Sequence, residues 1–568
     1  MYISKVHIRK YKSISDLEMG INPEINICVG KNGAGKTAFF DAIKTLIFKG
    51  VYPLEEFPEY ISIELCDNQK KLGQSLCEFI KEQNRIPPEY IPPFEDAFLP
   101  IQEHFKVEFI CKKINKNPRF YLKYKDIFFY EGHLFLDEEC IAKSHPAVNI
   151  HEIQREKVRD AKTLIDFVKN VITKETPEIY MGSDRSNENI VNKAFDFLQE
   201  NTFFVGEMRD LRKENKKGAM SDLVSSANDS SYKHLQNSTI DPTTFIDKLY
   251  SLQNTKSPIE HNIVKCFEHS CKDDGYEVRA IEERPDRVLL RISEKGKSIL
   301  LDNTSFPSGL LQKIFFNFVL AISRERLLLF EEPETNLHPG LQKHVFHLLK
   351  EQKTQVFITT HSPEFVDNTL INAVHKFQID EQGVTQVKSF SEKENNKELF
   401  RKYFIVDKRI FFADFVILCE GNTEFVLLPH LFDEFTDKKE FLHKKNIFLA
   451  NLGGKDQRKI YTKILKIFDI PYFIVLDKED EKTTTGYDSE SKTYRHKFRD
   501  FDECYNEEYL KSKNIEKSKK LKKPRLALKV LEYCLTHEEE KISNFLNDDA
   551  KKEFGSIVKY FMKEYGSD

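Results

Sequence analysis

GKNGAGKT, from Gly30 to Thr37, is the stretch on which the fold turns. It has the form G-x-x-x-x-G-K-[ST] and follows INICV, residues 25–29, an apolar run that reads as a buried strand. In that setting the glycines let backbone N–H groups converge on phosphate oxygens, and a helix expected from Lys36 onward adds its positive N-terminal end. Lys36 is placed to reach the β- and γ-phosphates of ATP and Thr37 to ligate Mg²⁺, with Gly30, Asn32, Gly33 and Gly35 completing the loop.

Outward from the loop, three more apolar runs end in polar residues. LLLF (327–330) leads into Glu331 and Glu332, VFITT (356–360) into His361, and FVILC (415–419) into Glu420. In open α/β sheets, ligands bind at the C-terminal ends of such strands. Glu331 is expected to hold Mg²⁺ directly or through water, Glu332 to polarise the attacking water, and His361 to contact the γ-phosphate. INICV and LLLF lie about 300 residues apart, too many for one compact nucleotide-binding unit, so an insertion is expected between them. Residues 151–285 fit it: HEIQREKVRDAKTLIDFVKNVI has helical spacing, and 218–244 is rich in Ser, Asn and Asp.

Past a charged joint at 391–408, a second set of acids follows the same logic. Glu420 ends a strand, Gly421 permits a tight turn, and Glu424 lies four residues on, so both carboxylates share one side of a helix start. PYFIVLDKEDE supplies another apolar strand, ending in Asp477 and Glu479, which share a face; Asp480 is an alternative to Glu479. Acids at the ends of neighbouring parallel strands are a usual means of holding Mg²⁺, or alternatively Mn²⁺, for phosphodiester chemistry. NLGGKDQ, with Gly453 and Gly454, reads as a turn beside them.

Composition bounds the rest. The chain has 568 residues, of which 87 are Lys or Arg and 91 Asp or Glu, a net charge of −4. That length predicts three or four structural units. A hydrophobic content of 40%, with 47 Phe and 22 Tyr, excludes global disorder. No apolar run approaches the roughly 18–20 residues of a membrane span, and MYISKVHIRKYKSI lacks the apolar core of a signal peptide. The ten Cys lie far apart, so no disulfide framework is expected and the cytoplasm is the default location. His261, Cys266, His269 and Cys271 lack a second pair at finger spacing and read as a helix face. Bulk charge gives no sign of nucleic acid, but residues 511–529 hold nine Lys or Arg against one Glu, the best DNA-backbone contact in the chain.

IRKYKSI followed by the phosphate loop, EEPETNLHP and TTHSP resembles the ABC-type ATPases of the RecF/SMC/OLD group. The resemblance implies two ATPase heads that sandwich ATP, a signature Ser–Gly of one head capping the other's nucleotide. Ser308 and Gly309 occupy that place in SFPSGLLQ, although Gln312 falls one residue later than in the usual S-G-x-Q. E-G-x-T-E followed about 55 residues later by D-x-E resembles the toprim domain of OLD-family nucleases, whose second pair is usually D-x-D. On that resemblance Asp502 or Glu503 supplies a third acid, and KKPRLA carries the catalytic lysine, Lys523 or Lys522.

The implied fold is α/β: an ABC/SMC-RecF-type P-loop ATPase with a helical dimerisation insert, then a toprim domain with a Rossmann-like parallel sheet. The expected limits are 1–150 and 286–400 for the ATPase halves, 151–285 for the insert, 411–540 for the toprim domain and 541–568 for a helical tail. The implied activity is nucleotide-gated, metal-dependent DNA cleavage in anti-phage defence, as in the Gabija nuclease subunit and retron-associated effectors. Implied partners are DNA, further copies of the chain through heads and insert, and a regulatory protein or an RNA–DNA hybrid. A DNA-binding ATPase scaffold with a non-cleaving toprim module is the alternative. A toprim primase or topoisomerase is a third reading, and strand passage there would need a separate tyrosine-bearing domain.

Overall fold

The computed structural model describes residues 1–48, 56–67, 71–82, 105–114, 117–124, 127–130, 133–135, 148–149, 178–180, 190–206, 239–240, 245–284, 287–294, 297–301, 308–324, 326–352, 354–390, 406–453, 455–478, 484–498, 501–515, 523–537 and 539–565. They form two compact units, Met1–Phe365 with Asn372–Val387, and Val366–Ile371 with Lys388–Asp568.

In the first unit the Ile25–Val29 strand is buried at every position and lies between two parallel neighbours, Val356–Thr360 and Val374–Ile379. A continuous apolar run is what a strand covered on both faces requires. The sheet continues from Val356–Thr360 to Leu327–Glu331, then Thr202–Val205 and Thr239–Ile240, and ends on its other side at Thr385–Ser389. The Lys36–Ile47 helix packs Phe39, Phe40, Ile43 and Leu46 into a core that also takes in Leu329 and Phe357 of this sheet. The same core receives Ile3, Val6, Ile8, Ile61, Ile63 and Phe109 from a nine-stranded sheet that begins with the antiparallel strands Tyr2–Tyr11, Ile14–Gly20 and Tyr60–Asp67.

The span 151–285, expected to be a mostly helical insert, contributes more than helices. Its described residues include the helices Ile190–Glu200, Phe245–Gln253 and Pro258–Asp273, and also the Thr202–Val205 strand, which pairs in parallel with Leu327–Glu331. TFFV is only four residues long, and its apolar character blends with the preceding helix, so periodicity alone does not separate the two. Helix Ile190–Glu200 buries Val191, Ala194, Phe195 and Leu198 in the core of the first unit. The helical spacing at 151–172 and the polar stretch at 218–238 lie outside the described residues. In Pro258–Asp273, Val264, Phe267 and Cys271 form the buried stripe, at helical spacing.

The second unit holds a five-stranded sheet. Phe415–Cys419 is flanked in parallel by the edge strand Ile447–Asn451 and the central Tyr472–Leu476, with Thr493–Arg495 parallel beyond the latter and Gly486–Asp488 antiparallel at the other edge. The Asp548–Tyr565 helix, expected as a tail, belongs to the core of this unit. Its Phe561 ring lies 4.9 Å from that of Phe432, 5.2 Å from Phe415 and 5.8 Å from Phe473. Burial of Ala550, Phe554, Ile557 and Phe561 at helical spacing explains why: that apolar stripe has to be covered. Among the described residues no helix is long and apolar enough to cross a membrane.

Candidate nucleotide site and acidic site

The phosphate loop bends where only glycine fits. Gly35 has φ +97°, and a Cβ there would stand 2.2 Å from Thr385 Oγ1; at Gly30, φ +148°, it would stand 2.3 Å from the Phe377 carbonyl oxygen. Lys36 begins the helix and folds back over the loop, its Nζ donating to the carbonyl oxygens of Gly30 at 2.7 Å and Lys31 at 2.9 Å. Burial pushes the Lys36 ammonium down to about 8, with Glu332 opposing the shift. A cation held by backbone dipoles over a glycine-rich turn suits a polyphosphate, and the loop residues fit ATP on that ground. Asn32, Gly33 and Thr37 are exposed, on the solvent side of the loop.

Two acids meet the loop from the strand next but one in the sheet. Glu331 ends Leu327–Glu331; Lys44 Nζ, from the loop helix, lies 3.6 Å from its Oε1 and 2.7 Å from Asp41 Oδ1. Burial raises the Glu331 carboxyl, against the pull of Lys44. Glu332 takes the left-handed conformation, φ +43°, and its N–H donates to the Thr359 carbonyl at 3.0 Å. A non-glycine residue there costs about 1–3 kcal/mol and persists only where its surroundings enforce it. The turn brings Glu332 Oε1 to 3.4 Å from His361 Nε2. Burial, then Lys36, pushes His361 down to about 4, so its imidazole is neutral near pH 7.

Glu334, to which the sequence reading gave no role, accepts the backbone N–H of His361 and is itself pushed up by burial. The third acid of EEPE thus anchors the loop that carries the histidine. Gln312 is buried and donates to the Asn336 carbonyl at 2.8 Å, tying the Ser308–Ile322 helix to the turn after the acids. Ser308 opens that helix, and Gly309 is exposed next to it.

In the second unit Glu420 and Asp477 follow adjacent parallel strands, and the Asp477 N–H donates to Glu420 Oε2 at 3.3 Å. Gly421 caps the Asn422–Thr436 helix, whose first turn carries Glu424, 3% exposed. Burial, reinforced by Asp477, raises the Glu424 carboxyl to about 8. His496, fully buried, places Nε2 2.8 Å from Asp477 Oδ1. Ligand atoms of Glu424, Asp477 and His496 lie within 4.8 Å of one another, the one such group of three among the described residues. Carboxylates forced together in a buried site, where one of them is driven toward its neutral form, suit a divalent cation.

His496 was missed because TYR is a short, half-polar strand, unlike the apolar runs that announced the other sites. Its register was the available signal, since it follows Thr493–Arg495 as Asp477 follows Tyr472–Leu476. Glu503 is exposed, on a short turn of helix at Phe501–Cys504, and its carbonyl accepts from Asn547 at 2.8 Å. Glu479 and Asp480 lie outside the described residues, as do 516–522 of the basic run; Lys523 begins the Lys523–Thr536 helix.

Residues 1–366 match the family model of the AAA ATPase domain, and residues 411–478 that of the "Overcoming lysogenization defect protein-like, TOPRIM domain". The chain is an AAA-domain ATPase of the OLD type. The ATPase match spans both sequence halves of the nucleotide site, and the toprim match includes Glu420, Glu424 and Asp477 but ends before His496. Among solved structures, this OLD-type chain is similar to an SMC head bound to the C-terminal winged-helix domain of ScpA: 15% identity, 69% of this chain and 99% of that one, TM-score 0.35. It is also similar to the SMC head domain from Thermotoga maritima, at 12% identity over 69% of this chain and 100% of that one, TM-score 0.32. No curated protein matches it.

Proposed function

We propose that this protein is a nucleotide-gated, metal-dependent DNA endonuclease or nickase of bacterial anti-phage defence, acting in the cytoplasm. The observation that carries the reading is Glu424, a carboxyl 3% exposed and held against Asp477 at the ends of adjacent elements. A module that only docked would gain nothing from burying an acid beside another, which costs free energy whether the carboxyl stays charged or is driven neutral.

Glu420, Glu424 and Asp477, with Glu479 and Glu503 as further acids, would hold Mg²⁺ or Mn²⁺. When bound, such a cation supplies charge at the scissile phosphate and lowers the pKa of water. The basic run 511–529 would bind the DNA backbone, and Lys523 would steady the phosphate. In the ATPase, Lys36 and Thr37 hold the nucleotide, Glu331 serves Mg²⁺, Glu332 orients the attacking water, and neutral His361 keeps Glu332 aimed while sensing the γ-phosphate. Ser308 and Gly309 of one copy would cap the nucleotide of a second, so that occupancy sets head geometry and DNA access. Domain limits of 1–150, 151–285, 286–400, 411–540 and 541–568 belong to this reading, as does restraint by a partner protein or an RNA–DNA hybrid.

One gel tests it. Supercoiled plasmid is incubated with protein and Mg²⁺ or Mn²⁺, with ATP, with a non-hydrolysable analogue and without nucleotide. Relaxed or linear product that Glu420→Ala abolishes, with ATP binding intact, is the expected result. Intact plasmid in every lane favours the scaffold, and nicking by the variant overturns the site.

A further inference from the structure

Where the toprim acids bind a divalent cation, as proposed above, an all-oxygen site would favour Mg²⁺, the hard cation. This chain places an imidazole among the acids. Thr493–Arg495 pairs in parallel with Tyr472–Leu476, Leu476 opposite Arg495, so the next residues of the two strands, Asp477 and His496, leave the sheet side by side. The backbone locks that register, because the His496 N–H donates to the Leu476 carbonyl at 3.1 Å and the Lys478 N–H to the Phe498 carbonyl at 2.9 Å. His496 is fully buried between the rings of Phe498 and Phe554, at 6.0 and 6.4 Å. Among the described residues neither ring nitrogen has a hydrogen-bond partner, and Nε2 faces Asp477 Oδ1 at 2.8 Å.

A histidine that served to orient Asp477 would hydrogen-bond it, whereas Nε2 approaches Oδ1 without doing so, as two donor atoms of one cation would. The 2.8 Å separation of Nε2 and Oδ1 is close to the roughly 3 Å between adjacent donors on one octahedral cation, given metal–ligand distances near 2.1 Å. We propose that His496 is a nitrogen ligand of the cation held by Glu424 and Asp477, and that it tunes this site toward Mn²⁺ and related transition ions over Mg²⁺. Imidazole nitrogen binds first-row transition ions far better than it binds Mg²⁺, which keeps to oxygen.

The inference rests on the acidic site binding a cation, and pulsed electron paramagnetic resonance separates the two claims. Full-length protein is loaded with Mn²⁺ without nucleotide, as wild type, as His496→Gln, as Glu424→Gln, and as wild type labelled with ¹⁵N-histidine. Modulation from a coordinated ¹⁴N is expected in the wild type and is replaced by the ¹⁵N signal in the labelled protein. In His496→Gln it is lost, with Mn²⁺ affinity down about tenfold or more and Mg²⁺ affinity changed less. Bound Mn²⁺ that Glu424→Gln releases, but that shows no ¹⁴N coupling in the wild type, overturns the histidine ligand and leaves the acidic site standing. Binding unaffected by Glu424→Gln overturns both. The isotope pair decides the ligand question even if His496→Gln fails to fold.

Discussion

Gly421 makes room for Glu424: a Cβ built on Gly421 would stand 2.6 Å from Glu424 Oε2. The glycine is required by the carboxylate rather than by its backbone, which is extended at φ −125°. Gly421→Ala should therefore displace a site carboxylate without removing one. Plasmid cleavage should fall about tenfold or more, as for a misplaced catalytic group, with ATP binding and melting temperature nearly unchanged. Full cleavage by this variant would mean that Glu424 does not act from its observed position.

Glu332→Gln keeps the shape of the side chain beside His361 and removes its charge. Hydrolysis of ATP should drop about 10²–10⁴-fold, the usual contribution of a general base, while nucleotide binding persists. Phosphate release and fluorescent-nucleotide titration measure the two separately, and hydrolysis near the wild-type rate would remove Glu332 from the reaction.

His375 gives the first unit an acid limb. It is buried, with Nε2 donating to Asn26 Oδ1 at 3.0 Å, and burial pushes it down to about 4. Below pH 6.5 the unfolded chain takes up a proton that the folded imidazole refuses until about pH 4. Stability from this group is thus fully present above pH 6.5 and falls as pH drops toward 4, by up to about 3 kcal/mol. Unfolding of wild type and His375→Gln at pH 7 and pH 4.5 should show a smaller acid loss in the variant.

Phe561→Ala should cost about 3–5 kcal/mol, because its ring meets Phe415, Phe432 and Phe473 at the centre of the second unit. Limited proteolysis should then cut residues 406–565 ahead of the ATPase. If the variant melts as the wild type does, the Asp548–Tyr565 helix is dispensable to that core.

Gln312→Leu should destabilise the first unit by about 0.5–1.5 kcal/mol, since it removes a part-buried hydrogen bond to the Asn336 carbonyl. A thermal shift of the isolated variant checks this, and an unchanged melting point would assign the tie no weight.

The parts legible in the sequence share one physical trait. INICV, LLLF, VFITT, FVILC and YFIVL are mostly apolar and buried on both faces, and each is an interior strand whose following residue enters a site. Where burial on two faces and chemistry at the end coincide, the run announces both. Thr202–Val205 escaped notice because three apolar residues after a helix carry no period of their own. His496 escaped because its strand is three residues long, and Glu334 because its work is a hydrogen bond to a backbone 27 residues away.

The Ile25–Val29 strand also sets an order of events during synthesis. Its two sheet partners, Val356–Thr360 and Val374–Ile379, are made more than 300 residues later. Until they emerge from the ribosome, the phosphate loop follows an unpaired apolar strand, both of whose edges are open to wrong pairing. A nascent chain of this protein therefore carries open strand edges for most of its translation, and its nucleotide site can form only after some two thirds of the chain exists.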